Sequence, residues 1–125
     1  MSFNVLIVDD DFINRKLITV ILKKHPDLVT NMVEAENGSE ALEIMKNNKD
    51  INIILLDIFM PVLNGKEFLK IFRSDKENKS IPILVLSTDD AQKRTVLEYG
   101  ANEFLLKPIN ENIIISTMNK YLDKQ

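Results

Sequence analysis

Short apolar runs alternate with stretches of helical period along this chain, and the alternation repeats about every 20 to 25 residues. This spacing is typical of βα units, and five such units fit into 125 residues. The first, third and fourth apolar runs contain almost no polar residues, as expected for strands that are covered by helices on both faces. The predicted strands, each end being uncertain by about two to four residues, are 4–8, 30–35, 51–57, 81–87 and 103–106.

The second and fifth predicted strands are more polar or shorter than the others, and we therefore expect them at the edges of the sheet. Right-handed crossovers between parallel strands then favour the strand order 2-1-3-4-5, with helices on both faces. The length is close to that of the commonest single domain, so residues 1–125 are predicted to form one α/β domain.

Polar residues placed three positions before a glutamate mark the start of two helices. Asn37 with Glu40, and Asn64 with Glu67, match a capping box, and Asp11 is predicted to cap the first helix. The last two helices are predicted over about residues 90–99 and 110–122. The residues predicted to face the core are Ile13, Leu17, Val20 and Ile21 in the first helix, Ala41, Leu42 and Met45 in the second, Phe68, Leu69 and Phe72 in the third, and Ile114, Met118 and Leu122 in the fifth.

Carboxylates follow two of the apolar strands directly. Asp9, Asp10 and Asp11 come after the first strand, and Asp57 ends the third. These strands are predicted neighbours, so their carboxyl ends should bring Asp9, Asp10 and Asp57 into one crevice. Three carboxylates at a sheet edge suit a hard divalent cation such as Mg²⁺. A carboxylate beside Mg²⁺ can attack phosphorus, which makes Asp57 a candidate nucleophile for phosphoryl transfer.

Two further polar groups are predicted at the same edge of the sheet. Ser87 ends the fourth strand, and Lys107 follows the fifth and precedes Pro108. A lysine can pair with phosphate oxygens, and a serine hydroxyl can donate a hydrogen bond to them. Each residue alone is common at a strand end, but together they complete a phosphoryl-transfer site. The sequence favours a trans bond between Lys107 and Pro108, because cis bonds are the minority even before proline.

Composition excludes several classes of protein. The chain is 45% hydrophobic and 28% charged, which is ordinary for a globular protein, and its apolar runs are too short to insert into a membrane. It has no cysteine and one histidine, so disulfides, thiol chemistry and a histidine zinc site are not expected. A net charge of -3 disfavours direct nucleic acid binding. No signal-peptide pattern opens the chain, and we expect a cytoplasmic protein.

The chain resembles, over essentially its full length, the receiver domain of response regulators in bacterial two-component signal transduction. The resemblance implies the flavodoxin-like (βα)5 fold, a three-layer sandwich. The segments that carry it are Leu6-Ile7-Val8-Asp9-Asp10-Asp11, Glu36-Asn37-Gly38-Ser39-Glu40-Ala41-Leu42, Leu55-Leu56-Asp57-Ile58-Phe59-Met60-Pro61 with Asn64-Gly65, Leu86-Ser87, Gly100-Ala101 and Leu106-Lys107-Pro108.

The resemblance also implies roles for single residues. Asp57 would accept a phosphoryl group from a sensor histidine kinase or a histidine phosphotransfer protein. Mg²⁺ would be bound by Asp10, Asp57 and the backbone carbonyl of Phe59, with Asp9 helping through water. The residues implied to bind the phosphoryl group or to switch, and so to alter the face formed by helix 4, strand 5 and helix 5, are Ser87, the backbone amide of Thr88, Lys107 and Phe104.

Two residues depart from the family pattern. Thr88 stands where the family usually has alanine, and Phe59 is large and apolar beside the acceptor. We hypothesise that both side chains restrict the access of water and small donors and so give a long-lived phosphoryl state. Phe104 lacks the hydroxyl of a tyrosine, so any rotamer switch at this position must depend on packing.

Other interpretations remain open at this stage. A Mg²⁺-dependent phosphatase of the haloacid dehalogenase type would need a second acid two residues after its nucleophile, where this chain has Phe59. A flavin carrier would need hydroxyls and backbone donors in the first loop, which is acidic here. A receiver that binds partners without phosphorylation is a third alternative. The chain could be a stand-alone regulator. It could also be a receiver module of a hybrid histidine kinase, because the segment Asp11-Phe12-Ile13-Asn14-Arg15 resembles the corresponding segment of such receivers.

Overall fold

The computed structural model describes residues 1–122 and has a parallel five-stranded sheet flanked by helices. The strand order is β2-β1-β3-β4-β5, so the predicted order and the predicted edge strands are confirmed. The strand bounds lie within two residues of the predicted ones. The strands are β1 Phe3–Val8, β2 Val29–Ala35, β3 Ile53–Asp57, β4 Ile83–Ser87 and β5 Glu103–Leu106.

The register of the sheet aligns the carboxyl ends of its central strands. Val8 of β1 pairs with Leu56 of β3, and Asp57 at the end of β3 pairs with Leu86 of β4. Ser87 is therefore one position beyond the level of Asp57, and it pairs in turn with Leu106 of β5. The chain segments that follow these strands leave the sheet along one edge.

The sheet is buried on both faces because successive side chains along a strand alternate between two cores. Leu6 and Leu56 belong to the core that is packed with α2, α3 and α4, whereas Ile7 and Leu55 belong to the core packed with α1 and α5. All four are at most 1% exposed. The helices are α1 Phe12–Lys23, α2 Gly38–Asn47, α3 Gly65–Ser74, α4 Lys93–Glu98 and α5 Glu111–Leu122.

The predicted helix caps are present. The Asp11 side chain accepts a hydrogen bond from the Ile13 amide at the start of α1. Asn64 and Glu67 form both bonds of a capping box. Asn37 accepts the Glu40 amide, which is half of the predicted box. The predicted fourth helix is divided into a 3₁₀ turn over Asp90–Gln92 and the short α4, which ends before Gly100 at a φ of 107°.

The predicted inward face of α1 is wrong for three of its four residues. Ile13, Leu17 and Val20 are 69%, 47% and 46% exposed. The helix is apolar on two sides, and periodicity cannot say which side meets the sheet. Ile21 is buried as predicted, together with residues on the other side: Arg15, Ile18, Thr19 and Leu22.

The remaining inward faces agree with the prediction. Phe68, Leu69 and Phe72 of α3 are at most 2% exposed, and the rings of Phe68 and Phe72 stack with centroids 5.2 Å apart. In α2 and α5 the predicted residues are buried, except that Leu42 and Leu122 are only partly so. Within residues 1–122, no helix has the length and the apolar character that a bilayer crossing requires.

Candidate functional site

Three carboxylates meet at the carboxyl ends of β1 and β3. One carboxylate oxygen from each of Asp9, Asp10 and Asp57 lies within 4.8 Å of the others. Asp9 and Asp57 are buried, at 3% and 9% exposure, whereas Asp10 is exposed. The structure thus brings together the three residues that the sequence placed in one crevice.

Asp9 is held by groups on four sides. Its amide donates to the carbonyl of Ala35 at 3.1 Å, which extends the pairing of β1 with β2. One carboxylate oxygen, Oδ1, accepts the Asp11 amide at 2.9 Å, and the other, Oδ2, lies 3.4 Å from Nζ of Lys107. Its carbonyl accepts from the guanidinium of Arg15 at 2.7 Å. Both carboxylate oxygens and both backbone polar groups of Asp9 thus have partners, so the side chain has little freedom to reorient.

Lys107 lies between the two buried aspartates. Its Nζ is 3.4 Å from Oδ1 of Asp57 and 3.4 Å from Oδ2 of Asp9, and its side chain is 12% exposed. The lysine amide donates to the carbonyl of Ser87 at 2.8 Å, which ties the end of β5 to the end of β4. The bond between Lys107 and Pro108 is cis, contrary to the trans bond favoured from the sequence.

The electrostatics of the site disfavour charge on Asp57. Burial, and then repulsion by Asp9, raise the pKa of the Asp57 carboxyl from 3.8 to about 6, although the Lys107 ammonium and the Ile58 amide oppose the rise. One ammonium therefore leaves the negative charge only partly compensated. A set of carboxylate oxygens with uncompensated charge fits a hard divalent cation, and Asp9, Asp10 and Asp57 could hold one.

The other predicted site residues lie in β4 or β5 or directly follow them, and they differ in exposure. Ser87 is fully buried, and its hydroxyl accepts a hydrogen bond from the Asp89 amide at 3.1 Å. Thr88 is exposed at the start of the following loop. Phe104 is half-buried and packs against the core on the α4 side of the sheet. Ser87 is positioned by its strand, but its hydroxyl is engaged with its own turn.

Comparison with known proteins gives the family of the chain. The family model for the response regulator receiver domain matches residues 5–119, a range that includes Asp9, Asp57 and Lys107. The chain belongs to the response regulator receiver family. Receivers of this family are signalling switches of two-component systems.

Two relatives and one solved structure illustrate the match. The response regulator ORR7 of Oryza sativa subsp. japonica is 35% identical over 107 residues, 84% of this chain but 50% of ORR7, so the chain spans half the length of that relative. Protein PilH of Pseudomonas aeruginosa is 32% identical over 120 residues, 94% of this chain and 96% of PilH. The receiver domain of Ssk1 from Saccharomyces cerevisiae, solved with the phosphotransfer protein Ypd1, has a TM-score of 0.85 at 31% identity and covers 96% of this chain and 88% of that one.

The loop after β3 folds back tightly on Asp57. A Cβ atom on Gly65 would lie 2.4 Å from the carbonyl oxygen of Asp57, and the Gly65 amide donates to the Ile58 carbonyl at 2.8 Å. Phe59, two residues after Asp57, is 54% exposed. Val62 has a φ of 70°, which is strained for a β-branched residue. The loop conformation thus depends on glycine at position 65.

Sequence reasoning missed Arg15 as a residue of the site. It is 7% exposed, and besides the Asp9 carbonyl it contacts Glu34 of β2, whose Oε1 is 2.9 Å from its Nε. The sequence offered one weak signal, an arginine one helical turn after the aspartate cap Asp11. The wrong inward face assigned to α1 placed Arg15 on the solvent side.

Proposed function

We propose that this receiver is a phosphoacceptor switch in which Asp57 accepts one phosphoryl group. The observation that carries the proposal is the position of Asp57, buried beside Asp9 and Asp10 with Lys107 3.4 Å away. An isolated acidic loop would have no need of a buried ammonium between its carboxylates. A phosphoryl acceptor needs a nucleophile, a cation site and a group that pairs with phosphate oxygens.

The chemistry assigned to the chain is a single displacement at phosphorus. A carboxylate oxygen of Asp57 attacks the phosphorus of a phosphohistidine, the phosphorus–nitrogen bond breaks, and the imidazole nitrogen keeps the electron pair and takes up a proton. Asp9, Asp10, Asp57 and the backbone carbonyl of Phe59 would hold Mg²⁺, which when bound would offset the repulsion between the carboxylates and the incoming phosphoryl group.

After transfer, the residues of β4 and β5 bind the product. The Lys107 ammonium pairs with a phosphoryl oxygen, and the Thr88 amide donates to another. The Ser87 hydroxyl leaves the Asp89 amide and donates to the phosphoryl group, and Phe104 repacks behind it. These movements alter the face formed by α4, β5 and α5, which then controls partner binding.

We propose a histidine kinase or a histidine phosphotransfer protein as the donor. The related receiver of Ssk1 was solved with such a protein, Ypd1. In this chain a groove opens beside the site, and its lining includes Leu17, Lys107 and Ile109. The exposed apolar side chains of α1, Ile13, Leu17 and Val20, continue from this groove. An apolar surface next to the acceptor suits a helical donor that must bring its histidine to Asp57.

Intact-mass spectrometry tests the acceptor directly. Incubation with Mg²⁺ and acetyl phosphate or a phosphoramidate should add one phosphoryl group to the protein, and a histidine kinase replaces these donors if they react too slowly. Asp57→Asn should abolish the product, whereas Asp27→Asn, at an exposed position away from the site, should retain it. Equal labelling of Asp57→Asn, or no labelling with any donor, would refute the proposal.

Two further measurements test the cation and the class of protein. In an NMR titration with Mg²⁺ and then beryllofluoride, amide shifts should concentrate around Asp57, Ser87 and Phe104. We expect no turnover of p-nitrophenyl phosphate, because the exposed Phe59 occupies the position where a phosphatase of the haloacid dehalogenase type needs its second acid. Sustained turnover would move the protein into the enzyme class.

A further inference from the structure

Arg15 is a buried cation, 7% exposed, and it bridges three segments. Its Nη1 donates to the Asp9 carbonyl at 2.7 Å, and its Nε donates to Oε1 of Glu34 at 2.9 Å. Its Nη2 lies 3.9 Å from Oε1 of Glu36. The side chain thus links α1, the end of β1 and the far end of β2.

The bond to Asp9 acts on the next residue as well. The carbonyl of Asp9 and the amide of Asp10 belong to one planar peptide unit, so a donor that fixes this carbonyl also fixes the direction in which the Asp10 backbone continues. The Asp10 side chain is exposed, and no hydrogen bond or ion pair within residues 1–122 restrains it. Its place beside Asp57 therefore depends on its backbone.

We propose that Arg15 is a positioning residue that orients the peptide between Asp9 and Asp10 and so sets Asp10 for the divalent cation. This inference rests on the function proposed above, because it concerns the same cation site. Arg15 acts through hydrogen-bond geometry, with Glu34 holding the guanidinium in the orientation that reaches Asp9.

A purely electrostatic role for Arg15 is the competing explanation. A buried positive charge near three carboxylates would reduce their mutual repulsion. Glu34 and Glu36 lie against the same guanidinium, however, and their charges oppose its field at the acidic cluster. Two pairs of variants distinguish a role in hydrogen-bond geometry from a role through charge. One pair changes the guanidinium but keeps its charge, and the other changes the charge of Glu34 with and without its hydrogen bond.

The first pair tests the guanidinium. Arg15→Lys keeps the positive charge but replaces the planar guanidinium, whose Nη1 and Nε reach Asp9 and Glu34 in fixed directions, with a single nitrogen. We expect its Mg²⁺ affinity, measured by calorimetry or NMR titration, to fall roughly 10-fold, as for other groups that orient metal ligands. Arg94→Lys is the matched control, because Arg94 is exposed and, within residues 1–122, pairs only with Glu98 along its helix. An unchanged affinity in Arg15→Lys would overturn the inference.

The second pair tests Glu34. Glu34→Gln keeps a carbonyl acceptor for Nε of Arg15 and removes a charge, whereas Glu34→Ala removes both. Orientation by hydrogen bonding predicts an Mg²⁺ affinity close to that of the wild type for Glu34→Gln and a lower affinity for Glu34→Ala. Equal affinities in the two variants would assign Glu34 a role through charge, or none, and would overturn the inference.

A measurement on the metal-free protein completes the test. The Asp11 amide, which donates to Oδ1 of Asp9, should exchange hydrogen faster in Arg15→Lys, while the amides of Val5–Val8 remain protected. Faster exchange throughout β1 would show general destabilisation and would contradict a positioning role. If wild-type protein binds no Mg²⁺, the proposed function fails together with this inference. If the wild type binds Mg²⁺ and Arg15→Lys binds it with the same affinity, the proposed function stands and only this inference is refuted.

Discussion

The two halves of the site differ in how firmly they are built. The acceptor half, β1, β3 and the loops that carry Asp9, Asp10 and Asp57, is followed by α1 and α3, which have 12 and 10 residues and side-chain caps. The response half, β4, α4 and β5, has a helix of six residues without a side-chain cap and an edge strand of four residues. Rigid parts hold chemistry in place, whereas segments with few contacts are easily moved. The difference suits the proposed switch, which would receive a phosphoryl group on one half and signal with the other.

The largest loss of stability is expected from a substitution at Gly65, where the loop after β3 packs against the backbone of Asp57. Gly65→Ala would place a methyl group 2.4 Å from the Asp57 carbonyl and 2.8 Å from Cα of Ile58. Because both neighbours are backbone, the loop must shift, and we expect a loss of about 3 kcal/mol in the free energy of unfolding. Urea denaturation measures the loss. Ser39→Ala at an exposed position is the control, and a loss no larger than in that variant would contradict the tight loop.

The response half should become less stable when its hydrogen bonds to Arg73 of α3 are removed. Arg73 donates to the Gly100 carbonyl and to Oδ1 of Asn102, each at 3.0 Å, and Asn102 in turn accepts the Ile83 amide. Burial removes the Arg73 guanidinium from water and lowers its pKa. We expect Arg73→Ala to cost about 2 kcal/mol and to speed hydrogen exchange in α4 and β5 more than in β1.

Arg94 supplies the control for this experiment. Its side chain is 91% exposed and pairs with Glu98 alone among the described residues, so Arg94→Ala should change the unfolding free energy by at most about 0.5 kcal/mol. If hydrogen exchange rises uniformly in Arg73→Ala, the two halves are not separable units and the comparison fails.

A smaller, pH-dependent effect on stability should come from ionisation of the Asp57 carboxyl in the acceptor half. The folded-state pKa of Asp57, about 6, lies above its ordinary value of 3.8, so the folded state binds the proton more tightly than the unfolded chain. Ionisation therefore costs stability as pH rises from about 4 to 6, and the loss persists above pH 6. Asp57→Asn should remove it and stabilise metal-free protein by about 1 kcal/mol at pH 7, after allowance for solvent screening.

Thermal unfolding of the two proteins from pH 4 to 8 checks this expectation. The stability difference should be near zero at pH 4, should grow towards pH 6 and should then level off. Saturating Mg²⁺ should reduce it, because a bound cation stabilises the wild-type carboxylate. A difference that is constant with pH would show that the gain does not come from ionisation of Asp57.

The last prediction combines one residue from each half and concerns the phosphoryl lifetime. Phe59 from the acceptor half and Thr88 from the response half are both exposed at the site. The double variant Thr88→Ala with Phe59→Asn should lose the aspartyl phosphate several-fold faster than the wild type, because water would reach the phosphorus more easily. Loss of label over time by mass spectrometry measures the rate, and no acceleration would reject the hypothesis of restricted access.

Sequence reasoning succeeded where a residue's position along a strand decides its place in space. Strand periodicity and polar edges predicted the sheet, and the register of that sheet brings Asp57 next to Asp9 and Asp10. Sequence reasoning failed for α1, which is apolar on two sides. The side of α1 that carries Arg15 faces the sheet, and Arg15 donates hydrogen bonds there to the Asp9 carbonyl and to Glu34. Such long-range partners are not encoded in a local pattern.

Two classes of information can therefore be distinguished in this protein. Alternating hydrophobicity and strand-end carboxylates determined the order of the elements and the chemistry at the edge of the sheet, because both follow from local periodicity and parallel pairing. The tertiary structure alone decided the rotation of α1, the burial of Arg15, the cis bond before Pro108 and the raised pKa of Asp57. Each of these features depends on how closely segments far apart in the chain approach one another and on which side chains they bury, and only packing establishes both.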